Sequence, residues 1–319
     1  MLKPLTVILA VFGAAPAVSQ VNFWQYEWPL TDFEKSSVDF IEILSGGPPK
    51  DGIPALDDPE LIGVGASDVP PREPVVTVEI EGQTPRAYPL RYLTWHEIVN
   101  DTIGDTPIAV TFCPLCNSGI VFDRRLNGEL LSFGVSGKLR LSNLIMYDRE
   151  TESWWQQFGG EAIVGTYTGA VLTTVVSWTE SFEEYSARNP DGLIMAEPTG
   201  FRRPYGQNPY DGYDSSSRPF LYSGDPPPFG IEPLSRVIQV GSKAWPMERL
   251  REAEVIEEAG VRIVWRAGMA SALDGREIAT SRDIGSIRVF DAAGNPVDHD
   301  VVFAFAFDAF FPDGEWMLE

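Results

Sequence analysis

Cysteine and histidine are the scarcest reactive residues in this 319-residue chain, with two of each. Two cysteines cannot build the multi-bridge framework that staples small exported domains. Basic residues are also few. Lys plus Arg number 24 against 46 Asp plus Glu, a formal net charge of −22. That balance argues against nucleic acid and anionic membrane surfaces as partners, because the phosphate contribution to such binding is mostly electrostatic. Past the N-terminus no stretch reaches the roughly 18 uninterrupted apolar residues of a membrane helix, so no span is expected in the mature chain. There is no Gly-rich phosphate loop, nucleophile elbow or HExxH motif, and so no indication of a nucleotide cofactor.

The remaining composition suits a packed globular core, with 44% hydrophobic and 12% aromatic residues. The first 19 residues read as a secretory leader. Lys3 gives a positive start, Leu5 to Ala15 an apolar stretch, and Ala17-Val18-Ser19 small residues for cleavage near Gln20. The expected location is periplasmic or extracellular, with residues 20–50 as an N-terminal extension.

Strand signals outnumber helical ones. Val75 to Ile80, Ile108 to Phe112 and Ile120 to Phe122 are β-branched or alternating runs. Asn127-Gly128 between apolar runs suits a type I′ hairpin. Leu90 to Asn100 and Trp178 to Arg188 have helical spacing, and Val301 to Phe311 reads as a buried closing strand. Residues 204–233, rich in Pro, Gly, Ser, Asp and Tyr, read as an irregular crossing or linker. A weak repeat relates Ala87-Tyr88-Pro89-Leu90 to Ala244-Trp245-Pro246-Met247. The expected fold is mainly β with a few short helices (α+β). Two related β-rich halves, 51–203 and 234–319, pack into one large domain. His96 and both cysteines fall in the first half. Ala253 and Arg266 stand near their places in the second.

Cys113 and Cys116 form a CxxC pair in the run Cys113-Pro114-Leu115-Cys116. As a staple, so tight a loop gives only roughly 2 kcal/mol, against about 4.7 for a 100-residue loop. Metal capture or thiol exchange explains the spacing better, since both need two sulfurs converging on one point. His96 is close enough in sequence to reach them. With it the pair makes a candidate copper or zinc site, or a thiol centre with a base. His299 or Met146 could complete a metal site. Asn117-Ser118-Gly119 follows Cys116, which is turn chemistry and not the helix start of thioredoxin. Thiol activation therefore falls to His96, Arg124, Arg125 or the backbone amides of the turn.

Several long motifs resemble the bacterial exported family catalogued as domain of unknown function 3179. They include Trp95-His96-Glu97-Ile98-Val99-Asn100-Asp101, Thr111 to Gly119, Phe133-Gly134-Val135-Ser136-Gly137-Lys138-Leu139, and Met146 to Gln156. The resemblance runs from about Asp51 to the C-terminus. In the family form another residue stands between Trp and Gln, so the alignment passes through Trp155 and Gln157. The family carries no established activity. The resemblance supplies candidate binding positions: Glu97, Ser136, Lys138, Asn143, Asp148, Arg149, Ser153, Trp155 and Gln157. The readings left open are a metal-binding protein, a thiol–disulfide oxidoreductase on a non-thioredoxin fold, and a non-catalytic binding protein with a local disulfide. The expected partner is a small molecule, a metal ion or another exported protein.

Overall fold

The computed structural model describes residues 18–319, with side chains from residue 23 onward. The leader read at residues 1–19 lies outside the described residues except for its last two positions. These open helix α1 (Val18–Glu27). No described helix is long and apolar enough to cross a membrane.

The described residues are β-rich with five short α-helices, and the repeat hinted at by the aromatic-Pro strings extends through their topology. After short strands β1 (Ile43–Ser45), β2 (Leu56–Asp57) and β3 (Leu61–Gly63), the first unit begins. It runs β4 (Pro74–Val78), β5 (Arg86–Pro89), α2 (Leu90–His96), β6 (Ile98–Ile103), β7 (Thr106–Cys113) and β8 (Ser118–Asp123). A long insertion follows: β9 (Arg125–Leu126), β10 (Glu129–Leu130), β11 (Phe133–Arg140), β12 (Asn143–Asp148), β13 (Trp154–Gln156) and β14 (Ala162–Val164). The unit closes with β15 (Ser177–Ser181), α3 (Phe182–Arg188) and β16 (Leu193–Met195). The second unit repeats it as β17 (Arg236–Val240), β18 (Lys243–Pro246), α4 (Met247–Ala253), β19 (Val255–Glu258), β20 (Val261–Arg266), β21 (Ser286–Asp291), β22 (Asp300–Phe303), α5 (Ala304–Phe310) and β23 (Glu315–Trp316).

Strand orders match. The order β15-β4-β5-β16 corresponds to β22-β17-β18-β23, and β6-β7-β8 to β19-β20-β21. Even the register repeats. Val75 faces Pro89 as Val237 faces Pro246, and Cys113 faces Ser118 as Arg266 faces Ser286. The units meet reciprocally, β22 against β8 and β15 against β21. The largest apolar core runs through both, from Val76 and Tyr88 to Val237 and Val302. The units differ where they are interrupted. The first carries the β9–β14 insertion between β8 and β15. The second carries residues 267–285 between β20 and β21.

Asn127 and Gly128 both sit at positive φ in a two-residue hairpin between β9 and β10, as their pairing predicts. Each of the two segments with helical spacing holds one short helix, shorter than the segment, and the expected closing strand is corrected. In Trp178–Arg188, Ser177–Ser181 pairs with β4 and the helix starts only after Ser181. Ser181 caps it by accepting from the Glu184 N–H at 3.2 Å, a Ser-x-x-Glu box that marks the start. Leu90–Asn100 stops as helix at His96, because Glu97 takes φ 59°. Val301–Phe311 is strand only to Phe303 and then helix α5. Ala304 to Phe307 are all buried, so the segment is apolar on every side and shows no periodicity to separate helix from strand.

Candidate functional site

The chain Ile108-Ala109-Val110-Thr111-Phe112 is buried along its length and delivers Cys113 to the end of β7. Pro114, Leu115, Cys116 and Asn117 turn it back into β8. The Cys116 N–H donates to the Cys113 carbonyl at 3.2 Å, and the Asn117 N–H to the Pro114 carbonyl at 3.4 Å. Asn117 takes φ 56°, a conformation that Asn tolerates better than most residues. Both cysteines are free thiols and both are buried.

Three segments close on this turn. From the second unit, β22 takes the Asn117 side chain on the Val301 carbonyl at 2.6 Å, and the Phe303 N–H donates to the Cys116 carbonyl at 2.9 Å. Asp300 accepts from the Ser118 hydroxyl at 2.7 Å and the Gly119 N–H at 3.2 Å. From the insertion comes the tip of the β11–β12 hairpin. The Leu144 N–H donates to Cys113 Sγ at 3.4 Å, Cys116 Sγ lies 3.3 Å from the Ser142 carbonyl, and Asn143 Nδ2 reaches Cys116 Sγ at 3.5 Å. The third segment is the Pro-rich crossing. It is not a linker but a cover. The Tyr213 hydroxyl donates to the Leu115 carbonyl at 3.0 Å, the Tyr210 hydroxyl to Glu97 at 3.4 Å, and the Ser142 hydroxyl to the Phe220 carbonyl. Between cover and hairpin lies a mostly apolar cavity of ≈ 660 Å³, lined by Glu97, Leu115, Leu144, Tyr210, Tyr213 and Phe220 among others.

The two thiols are inequivalent. Burial alone would raise Cys113. Hydrogen bonds from the Cys116 thiol and the backbone N–H groups of Leu144, Cys116 and Leu115 outweigh it and hold Cys113 below the ordinary thiol range. Burial and the hydrogen bond and charge of Cys113 push Cys116 well above that range. The Glu97 carboxyl is driven up to about 8 by burial first and then by the charge of Cys113. It is a group able to carry a proton near neutral pH.

His96 does not join the thiols. Its Nδ1 meets the Pro54 carbonyl at 2.7 Å and its Nε2 the Tyr205 hydroxyl at 2.6 Å. Because a carbonyl only accepts, Nδ1 carries the proton and Nε2 accepts from Tyr205. Burial lowers its pKa further. His299 faces the Val297 and Ile287 carbonyls, and Met146 is a core residue. Arg124 is held by the Leu131 and Asp101 carbonyls and Arg125 by Asp123, leaving activation to the backbone amides. Among the described residues no group of three or more His, Cys, Asp or Glu converges as a metal cluster.

Of the other candidates, Asn143 and Gln157 reach the thiol turn. Asn143 Nδ2 donates to Gln157 at 2.8 Å, and Gln157 Nε2 donates to Thr111 Oγ1 at 3.0 Å. Lys138 lines the cavity, but its ammonium pairs with Glu27 at 2.9 Å over Trp28. Ser136 bonds the Ile145 carbonyl across a β-bulge. Asp148 accepts from Thr151 and from the Trp155 indole N–H at 2.8 Å, Ser153 bonds Thr151, and Arg149 pairs with Asp57. These hold the insertion together. Sequence reasoning misses Tyr210, Tyr213 and Asp300. The signal for the tyrosines is the spacing of Tyr205, Tyr210, Tyr213 and Tyr222 through an otherwise irregular segment, which marks it as packing on something.

Residues 50–314 match the family described as protein of unknown function, DUF3179. The chain belongs to that family. The match begins before β2 and ends just short of β23, and so includes the first unit, the insertion, the cover and all of the second unit but β23. Among curated proteins and solved structures nothing matches. For this DUF3179 protein the chemistry therefore rests on the geometry around Cys113 and Cys116.

Proposed function

We propose that Cys113 and Cys116 form a thiol–disulfide exchange centre acting on a small disulfide with apolar substituents. The observation that carries this reading is the asymmetry of the pair. Cys113 collects donors from Leu144, Leu115 and Cys116 while Cys116 stays protonated. That is the division between an attacking and a resolving thiol. The cavity gives a substrate room beside Leu115, Leu144 and Glu97; neither cysteine lines it, so the sulfurs are reached when the cover or the hairpin tip opens.

The Cys113 thiolate attacks one sulfur of the substrate. The substrate S–S bond breaks, its electron pair leaves on the distal sulfur, and Glu97 protonates that sulfur. Cys116 then passes its proton to the Glu97 carboxylate and attacks Cys113. The second substrate sulfur departs as a thiolate and takes a proton from water, which balances the proton that Cys113 gave to water when it ionised. The protein ends as the Cys113–Cys116 disulfide, and the substrate has gained two electrons and two protons. The leader read at residues 1–19 supports an extracytoplasmic setting, where both redox states of such a pair are accessible.

The test is a redox titration of the full chain in defined glutathione ratios, counting alkylated thiols by mass spectrometry. The expected result is one two-electron transition that Cys113→Ser abolishes. A pair that stays reduced in excess oxidised glutathione would overturn the reading. The burial of two adjacent free thiols favours a second reading, copper(I) held by both sulfurs. Zinc asks for four donors and finds two here. Stoichiometric copper in natively produced protein, lost in Cys113→Ser, would select the copper reading.

A further inference from the structure

The strands β20 and β21 repeat β7 and β8, and the two pairs differ in what covers them. On β7–β8 the face of Thr111 and Ser118 lies under the insertion, where Gln157 bonds both. The second unit has only a short turn, Asp291 to Asn295, in place of that insertion. The equivalent face of β20–β21 carries Arg262, Val264 and Arg266 on one strand and Ser286, Arg288 and Phe290 on the other. They pair as Arg266↔Ser286, Val264↔Arg288 and Arg262↔Phe290. With Glu184 from α3 they line a cavity of ≈ 160 Å³.

The charge here is inverted relative to a chain of net charge −22. Three guanidinium groups face the cavity and one carboxylate does. Glu184 is occupied by the Ser286 hydroxyl and reaches Arg266 only at 3.9 Å. Arg262 pairs at its exposed end with Glu257 at 3.2 Å. Arg288 is half-buried and stacks over Trp178 at 4.4 Å and Phe290 at 5.5 Å. Among the described residues it makes no ion pair, and its buried Nε has no partner. Burial first, then the charges of Arg188 and Arg266, lower its pKa against the opposing charges of Glu180 and Glu79, both of which are themselves paired with Arg188. A half-buried guanidinium that makes no direct ion pair, beside the like charges of Arg188 and Arg266, gains from an anion that completes it.

We infer that this cavity is an oxyanion-binding site, with Arg288 on its floor and Arg266 and Arg262 at its mouth. Planar guanidinium forks match phosphate, sulfate and carboxylate oxygens. The cavity is smaller than the ~300–1,000 Å³ of sites that hold drug-sized ligands, so the ligand is a small oxyanion or a single anionic group and not a nucleotide.

The test is calorimetry and thermal unfolding of the full chain with inorganic phosphate, sulfate and a short glutamate peptide, against sodium chloride at equal ionic strength. At about ten times its Kd, phosphate or sulfate is expected to raise Tm by about 2 °C while chloride does not. Arg288→Gln should weaken binding about tenfold or more, exposed Arg266→Ala a few-fold, and Arg251→Ala, which lies on a different cavity, not at all. If Arg288→Gln fails to fold, Arg266→Ala carries the test. Binding of the peptide alone, with the same arginine dependence, would assign the site to a carboxylate. Equal stabilisation by chloride, or affinities unchanged in the arginine variants, would overturn the proposal.

Discussion

Glu97 and Glu254 occupy the same corner of the two units, and only Glu97 is buried. Each ends a seven-residue helix with a positive φ, 59° and 60°, and takes its N–H to the carbonyl four residues back, Leu93 or Leu250. Each carbonyl accepts from the second strand after it at 2.8 Å, from the Phe112 N–H of β7 in one unit and the Trp265 N–H of β20 in the other. Positive φ at a non-glycine residue costs of order 1 kcal/mol. Its presence in both units marks it as the way this fold turns a helix into a strand. The second unit leaves the resulting carboxylate in solvent. The first uses the same corner to hold a carboxyl against Cys113 and under Tyr210.

Glu97→Gln tests that difference. The Glu97 carboxyl is held up to about 8 in the folded chain, against 4.5 for an ordinary one. Between those values the folded chain keeps a proton that the unfolded chain has released. Glu97 therefore contributes stability that is full below about 4.5 and is lost as pH rises toward 8. Buried Glu73 and Asp300, raised to about 7 and 6, act with the same sign, so the readout is the difference between wild type and variant. The variant should lose part of the fall in Tm across that window, and the inflection that Glu97 ionisation imposes on Cys113 alkylation should disappear. Superimposable pH profiles would remove Glu97 from the site.

Tyr213→Phe tests the cover. The hydroxyl donates to the Leu115 carbonyl at 3.0 Å and accepts from the Phe220 N–H at 3.2 Å. Losing these bonds weakens the closed cover by about 1 kcal/mol, and so raises the open fraction roughly five-fold. Alkylation of Cys113 by a small reagent should quicken by about that factor, with Tm nearly unchanged. An unaltered rate would mean that reagents reach the sulfur by another route.

The repeat is legible in the sequence because its residues are few and distinctive: an aromatic-Pro pair entering a short helix and Leu three positions on. The reactive turn is legible because two cysteines stand out in a chain with no others. Two things are not. Proximity and chemistry point to His96 as the partner of the thiols. The helix ends at His96 and Glu97 takes positive φ; the ring goes to Pro54 and Tyr205, and Glu97 is the residue turned toward Cys113. The cover reads as a linker because Pro and Gly report backbone irregularity and not burial. What ties residues 204–233 down is the side-chain contact of widely spaced tyrosines with both units: Tyr205 with His96, Tyr210 with Glu97, Tyr213 with the Leu115 carbonyl and Tyr222 with Phe305.

Leu141→Asn tests a strained tip. Leu141 and Ser142 form the two-residue turn between Arg140 and Asn143 with φ 51° and 60°, the pattern of a type I′ turn that favours Asn and Gly. Leucine is a poor occupant. Asparagine should stabilise the chain by about 1 kcal/mol in urea titrations, because its backbone accepts positive φ more readily. The turn also holds the Ser142 carbonyl and the Leu144 N–H on the two sulfurs. If the tip must move for a substrate to enter, the more stable variant should exchange more slowly. A variant that is no more stable than wild type would show that neighbouring contacts of Leu141 offset its strain.

Asp300 tests how far the reactive turn depends on the second unit. Its carboxylate is buried and accepts from the Ser118 hydroxyl, the Gly119 N–H and the N–H of its own neighbour Val301. Asp300→Ala leaves these buried donors without that acceptor, a loss of about 2–4 kcal/mol. Asp300→Asn keeps one carbonyl oxygen for the Gly119 N–H, and the Ser118 hydroxyl can rotate to accept from the new amide. Its cost should be no more than about 1 kcal/mol. The contrast is sharpest in a double-mutant cycle with Ser118→Ala. A coupling of about 1–2 kcal/mol is expected if the two side chains act as one contact. Because Ser118 pairs with Cys113 across the first rung of β7–β8, loosening it should also raise the reactivity of Cys116, which the closed turn keeps buried. Additive single variants with unchanged thiol reactivity would place the anchor of the turn elsewhere, in the bonds that Asn117 and Phe303 make between the turn and β22.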